Sequence, residues 1–245
     1  MTETIRIAMW SGPRNISTAM MRAWDSRADC TVMDEPFYGA YLVSTGLDHP
    51  MRDRIIAEHA TDWDEIASDC AARVGVKVIY QKHMCQHMIP RAPLAWMEGL
   101  RHAFLIRPPA EVAASFKVKW DGMGAADLGF HRQAELFEHV ARVQGTPPPV
   151  IEARDVLENP EGMLRALCAA LEVPFDHAML RWEPGLRPTD GVWAAHWYES
   201  VNASTGFAPP RAPGAIPQGL EEIVAACQPA YEALAAAKLS PLTSG

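Results

Sequence analysis

Ile5-Arg6-Ile7-Ala8-Met9-Trp10, running into Ser11-Gly12-Pro13-Arg14-Asn15-Ile16-Ser17-Thr18, is the stretch that decides the fold. An apolar strand enters a turn of small and polar residues, and a helical pattern starts at once in Ala19-Met20-Met21-Arg22-Ala23-Trp24. The first N–H groups of a helix have no intrahelical partner and carry the positive end of its dipole. Strand, turn, cation, two hydroxyls and helix, in that order, make an anion cradle. A phosphate or sulfate group fits it, with Arg14 supplying charge and Ser17 and Thr18 supplying hydrogen bonds. The plainer alternative is an ordinary strand-to-helix turn in which a Ser or Thr caps the helix.

The rest of the chain repeats the alternation. Apolar runs at Ile5 to Trp10, Cys30 to Asp34, Val76 to Gln81, His102 to Arg107 and Val150 to Ala153 predict strands covered on both faces. Helical patterns lie between and after them: Ser17 to Ser26, Trp63 to Arg73, Ala110 to Lys119, Phe130 to Val143 and Pro160 to Leu171. This order predicts an α/β three-layer sandwich around a central parallel sheet of about five strands, built from right-handed crossovers. Ligands of such sheets bind beyond the carboxyl ends of the strands. Glu35 to Asp62 is less regular and predicts a lid or acceptor-binding wall. Asn159-Pro160 predicts an N-cap with Pro at the first helical position. Pro209 to Pro217 predicts a loop, and Leu220 to Lys238 a closing Ala-rich helix. With no internal repeat or linker, residues 1–245 are expected to form one domain.

Composition narrows the function. With 49% hydrophobic and 21% charged residues the chain is ordinary for a globular enzyme. Its net charge of −8 provides no global basic field for nucleic acid, so an anionic ligand must be held by a local cluster. Cys30, Cys70, Cys85, Cys168 and Cys227 are scattered and odd in number, which suits a reducing compartment, and a cytoplasmic location is expected. No apolar run reaches the ~18 residues of a membrane span.

Several residues could carry chemistry. A nucleotide-hydrolysing P-loop reads G-x-x-x-x-G-K-[ST]. Gly12 begins a similar phrase, but Ile16 stands in place of the second glycine and Ser17 in place of the lysine. The metal-organising Lys-Ser/Thr pair is therefore missing. Arg107 ends a strand and Ser115 follows on the next helix, so the two can converge on one anion; alternatively Arg107 snorkels at the sheet rim. Glu35 after the second strand and His83 after the third are candidate bases, each with a structural alternative in capping or ion pairing. His83, Cys85 and His87 invite a metal reading, but the Glu of H-E-x-x-H and a distant third ligand are both missing, so no metal is expected. Trp193, His196, Trp197 and Tyr198 could stack on an adenine, line an acceptor pocket or plug the core.

Together these pieces resemble the sulfotransferases that use 3′-phosphoadenosine 5′-phosphosulfate, most closely bacterial-type members. Gly12-Pro13-Arg14-Asn15-Ile16-Ser17-Thr18 is similar to the family's 5′-phosphosulfate loop, and Arg107 and Ser115 match its 3′-phosphate pair of Arg and Ser. Arg154-Asp155-Val156-Leu157-Glu158-Asn159-Pro160, continuing to Leu171-Glu172-Val173-Pro174-Phe175, resembles the family's Asp-Leu-x-x-x-Pro helix and its Leu-Gly-Val-Pro ending. The resemblance spans residues 5 to 180 and departs from the pattern at Ile16. It also shows no clear basic-glycine loop, for which Arg187 or Arg211 could substitute.

The resemblance implies a fold like that of P-loop nucleoside triphosphate hydrolases. It implies a donor held by Gly12, Pro13, Arg14, Asn15, Ile16, Ser17 and Thr18 at one end and by Arg107 and Ser115 at the other. Arg14 would stabilise the leaving group. The base would be Glu35, which suits the bacterial pattern, or His83. The expected partner is a small-molecule acceptor carrying a hydroxyl or amine, with no nucleic acid or membrane, and a homodimer is allowed. The competing readings are a Mg²⁺-dependent kinase or hydrolase and a catalytically silent nucleotide-binding protein.

Overall fold

The computed structural model describes residues 4–72, 75–117, 124–210, 212, 216 and 218–243. Its centre is β1 (Ile5–Ser11), paired in parallel with β3 (Val78–Met84) on one side and β4 (Arg101–Ile106) on the other. β2 (Cys30–Asp34) lies outside β3, and β5 (Val150–Glu152) lies outside β4, giving the order β2-β3-β1-β4-β5. All pairings are parallel, as the continuous apolar runs predict. The chain builds the sheet to one side of β1 and then to the other. The carboxyl end of β1 is therefore the topological switch point, where such folds open a crevice.

Helices cover both faces. They are α1 (Ser17–Asp25), α2 (Tyr38–Thr45), α3 (Arg52–Glu58), α4 (Trp63–Ala71), α5 (Pro109–Lys117) and α6 (Phe130–Gln144). After β5 come α7 (Ala153–Glu158), α8 (Pro160–Ala170), the one-turn α9 (Ala194–Trp197) and α10 (Glu199–Asn202), and α11 (Glu221–Ala235). Alternating side chains of the sheet feed two apolar layers. One holds Ile7, Met9, Tyr80 and Leu105 with Met20, Met21 and Trp24 of α1. The other holds Ala8, Trp10 and Phe104 with Phe37, Trp96 and Leu136. Trp24 stacks on Tyr80 at 5.2 Å, fixing α1 against β3.

Local signals explain most boundaries. Asn159 caps α8 by accepting from the Gly162 N–H at 3.0 Å, with Pro160 at the first position. Residues 35–62 depart from the irregular wall expected, because α2 and α3 form there and bury Tyr38, Leu42 and Ile55. The third strand runs through Met84, past the end read from its apolar run, because Lys82 and His83 find partners inside the protein. Lys119, Arg73 and Arg211, and much of the 209–217 loop, lie outside the described residues. Among the described residues no helix is long and apolar enough to cross a membrane.

Candidate functional site

The loop between β1 and α1 is shaped by backbone strain and by one close approach. Arg14 (φ 59°) and Ile16 (φ 51°) both adopt the left-handed conformation, which is costly for a β-branched residue. Ile16 thus takes the backbone a glycine would supply, while its side chain packs on the apolar layer of Met20 and Met21. It is also the N-cap of α1, and no side chain caps this helix. The capping alternative for Ser17 and Thr18 therefore fails; they are the first two helical residues, both buried. Gly12 is required for a different reason. A Cβ there would lie 2.6 Å from the Leu128 carbonyl oxygen. Asn15 ties the loop to β4 by donating from Nδ2 to the Leu105 carbonyl at 2.9 Å, while its buried Oδ1 has no partner.

Residues about 100 positions away converge on this loop. Arg14 Nε donates to Ser115 Oγ at 3.1 Å, and Arg107 Nη1 donates to the Arg14 carbonyl at 2.8 Å. Glu111 aims Arg107, accepting from its Nε at 3.0 Å and from Arg154 Nη2 at 3.0 Å. Burial, and then the neighbouring charge of Arg107, push the Arg14 pKa below its ordinary value. Burial alongside a second guanidinium favours an anion at this point. The uncapped start of α1, Arg14, Arg107 and Ser115 thus form one basic corner at the end of β1 and β4. Arg187 lies elsewhere: its Nε is 3.5 Å from Asp25 Oδ2, at the end of α1 remote from the loop.

The second corner lies at the ends of β2 and β3, two strands from β2 to β1 and so roughly 10 Å away. Lys82 is 1% exposed and spends all its donors inside the protein. It donates to Asp34 Oδ1 at 3.0 Å, to the Tyr198 hydroxyl at 2.6 Å and to Glu35 Oε1. Tyr198 in turn donates to Asp34 at 2.8 Å and accepts from Trp193 Nε1 at 3.0 Å. Burial pushes the Glu35 pKa above the ordinary carboxyl value against the pull of Lys82. Burial works to lower Lys82, but the carboxylates of Asp34 and Glu35 outweigh it and hold it raised. Glu35 sits at φ 46°, its Oε1 taken by Lys82. Its Oε2 has His87 Nδ1 at 3.9 Å, beyond hydrogen-bond reach.

His83 lies elsewhere. It is inside β3 rather than after it, and alternation turns its ring to the layer opposite Lys82. The ring stacks on Trp10 at 4.5 Å, and its Nε2 pairs with Gln81 Oε1 at 3.0 Å. Burial pushes its pKa down to about 3. The aromatic run also resolves toward structure: Trp193 is 1% and Tyr198 4% exposed, both in the core beside α1. A bidentate pair of Arg22 with Asp190, at 2.6 and 2.7 Å, pins the segment before them. Among the described residues no group of three or more His, Cys, Asp or Glu side chains is placed to hold a metal ion. Lys82 and Glu111 are the members of the two corners that sequence reasoning missed. The signal available for Lys82 was a lysine in an otherwise apolar strand.

The family model described as a sulfotransferase domain matches residues 5–238. The branched-chain-amino-acid aminotransferase-like protein 2 of Arabidopsis thaliana is 35% identical over 230 residues, covering 93% of this chain and 41% of that protein. The chain thus spans about two fifths of the length of the curated relatives it matches. A sulfotransferase from Alicyclobacillus acidocaldarius shares the fold with a TM-score of 0.55 at 11% identity, over 96% of this chain and 97% of that one. The sulfotransferase domain of the Synechococcus PCC 7002 olefin synthase does so with 0.52 at 15%, over 92% and 94%. Low identity limits both solved structures to evidence of fold, whereas the family match runs from the start of β1 past the end of α11. The chain belongs to the sulfotransferase domain family, a family of transferase enzymes.

Proposed function

We propose that residues 1–245 act as one sulfotransferase-like domain that moves a sulfuryl group from 3′-phosphoadenosine 5′-phosphosulfate to a hydroxyl or amine of a small-molecule acceptor. The observation that carries this reading is the contact of Arg14 with Ser115 and of Arg107 with the Arg14 carbonyl, at the uncapped start of α1. Two sequence motifs tied to opposite ends of one donor thereby meet at the switch point of the sheet. The residues suit the donor: the uncapped N–H groups at the start of α1 and two adjacent guanidiniums, Arg14 and Arg107, favour a multiply charged anion.

In this reading Gly12, Pro13, Arg14, Asn15, Ile16, Ser17 and Thr18 hold the phosphosulfate, and Arg107 and Ser115 hold the 3′-phosphate. Glu35 is the base, since it directly follows β2 at the carboxyl end of the sheet and its raised pKa strengthens it for proton abstraction. It takes the acceptor's proton as the acceptor atom bonds to sulfur and the bond from sulfur to the 5′-phosphate oxygen breaks. Arg14 and the α1 dipole stabilise the charge that collects on that oxygen. The kinase or hydrolase alternative lacks the Lys-Ser/Thr pair, and the family model that matches residues 5–238 is that of a sulfotransferase domain.

The test incubates the full chain with sulfur-labelled donor and a panel of alcohols, phenols and amines. Labelled product together with released adenosine 3′,5′-bisphosphate is the expected outcome. Tight bisphosphate binding with no transfer to any acceptor or to water would identify a silent nucleotide-binding protein instead.

A further inference from the structure

His87 has no part in the chemistry so far, yet it is built into the second corner. It ends the turn Cys85–His87 that follows β3 and is 3% exposed. Its ring stacks on Tyr38 (4.3 Å, 16°) and Tyr41 (4.8 Å, 28°) of α2. The Tyr38 hydroxyl is itself paired with His49 Nδ1 at 2.9 Å, so the stack is held from both sides. His87 Nδ1 faces Glu35 Oε2 at 3.9 Å and is buried with no hydrogen-bond partner. Such an atom is expensive to leave unpaired, and natural proteins rarely do so without a use.

The spacing matters. Two atoms 3.9 Å apart do not bond each other, but a single oxygen can sit ~2.8 Å from both of them. Glu35, Tyr38 and Tyr41 face the ring, and the charges of His49, Lys82 and His83 act on it from farther away. Burial first, then the charges of His49, Lys82 and His83, keep the imidazole neutral, well below its ordinary pKa. A neutral imidazole carries one N–H to donate.

We propose that Glu35 Oε2 and His87 Nδ1 together seat the acceptor's nucleophilic hydroxyl. Glu35 receives its proton, and the His87 N–H occupies one oxygen lone pair, which leaves the other lone pair aimed at sulfur. An amine has a single lone pair, which a donor at His87 would occupy, so the seat selects an alcohol. The acceptor oxygen–sulfur bond forms, the bond from sulfur to the 5′-phosphate oxygen breaks, and the proton ends on Glu35. This inference rests on the sulfuryl-transfer reading given above.

Water, the smallest hydroxyl, serves as the probe acceptor. Release of adenosine 3′,5′-bisphosphate from the donor is followed for the full chain and for His87→Leu, His87→Asn and Glu35→Gln. Asn places an amide N–H where Nδ1 stood, and Leu keeps bulk without a donor. Thermal melts with the bisphosphate confirm for each variant that the fold and the donor site survive. The expected result is a roughly 10–100-fold loss in His87→Leu, most of the rate restored in His87→Asn, and an unchanged donor KM in both. Wild-type hydrolysis by His87→Leu, or His87→Asn as slow as His87→Leu, overturns the seat while leaving the transfer reading intact. Full release by Glu35→Gln also overturns the seat alone, whereas no bisphosphate release by the wild type with water or with any alcohol, phenol or amine of the panel sinks the transfer reading and the seat with it.

Discussion

Replacing Lys82 with Met tests the second corner most severely. The side chain is 1% exposed and is shared by two carboxyl groups, giving one hydrogen bond each to Asp34, Glu35 and Tyr198. Met preserves most of the volume but leaves Asp34 and Glu35 buried side by side without a cation. Removing one partner of a buried ion pair costs ~3–5 kcal/mol. For a chain of this size that lowers Tm by about 6–20 °C. The loss has a pH signature. Without Lys82 the Glu35 pKa, already raised by burial, rises further, so the uncompensated charge is relieved as that carboxyl takes up a proton. The Tm gap between wild type and Lys82→Met should therefore be wide at pH 8 and narrow toward pH 5. Calorimetry across that range measures it, with Lys82→Met/Asp34→Asn as a partial rescue. A gap under ~1 kcal/mol, or one that widens on acidification, would refute the assigned charge network.

Three further outcomes are expected. Arg107→Ala should weaken bisphosphate binding by roughly 10–150-fold, the loss of a charge-assisted contact of ~1.5–3 kcal/mol, as read by titration calorimetry; unaltered affinity would remove Arg107 from the donor site. Glu35→Gln should cut turnover by ~10²–10⁴ with bisphosphate affinity intact. The wild-type rate should rise with pH through an apparent pKa above 4.5, since burial holds the Glu35 carboxyl up. A flat acid profile would count against this base. His83 and His102 are buried with pKa values pushed down to about 3 and about 4, from an ordinary 6.5. The unfolded chain binds their protons first, so stability is full above pH 6.5 and declines as pH falls. At pH 5 each costs ~2 kcal/mol, measurable by denaturant unfolding and smaller in His83→Gln. Stability that held level down to pH 5 would contradict their burial as neutral rings.

The fold was legible where the physics is local. Strand β1, the small-residue turn and α1 follow from an apolar run, Gly12-Pro13 and a helical repeat, all within 25 residues. The Asn159-Pro160 cap is similarly self-contained. The basic corner was also readable, because Arg14, Arg107 and Ser115 each lie at a strand end or on the helix that follows. The second corner was readable at Glu35 but not in the network that holds it. Lys82 is satisfied by Tyr198, 116 residues away, and no local pattern announces that partnership. His83 misled because a histidine near a strand end invites a chemical reading, while its fate depended on which sheet face it takes. The strand continues three residues past Gln81, to Met84, and its alternation points His83 toward Trp10. Residues 35–62 misled through their mixed composition, since α2 and α3 are too short to show a clear period.

The most direct measurement compares adenosine 3′,5′-bisphosphate with AMP and with ATP plus Mg²⁺ in a thermal-shift titration of the full chain. A ligand at 100 times its Kd stabilises the fold by ~2.7 kcal/mol, a shift of about 5–11 °C. The account predicts that shift for the bisphosphate, little for AMP, and loss of the preference in Arg107→Ala. Equal shifts for all three, or a larger one for ATP with Mg²⁺, would contradict a donor gripped at both of its charged ends.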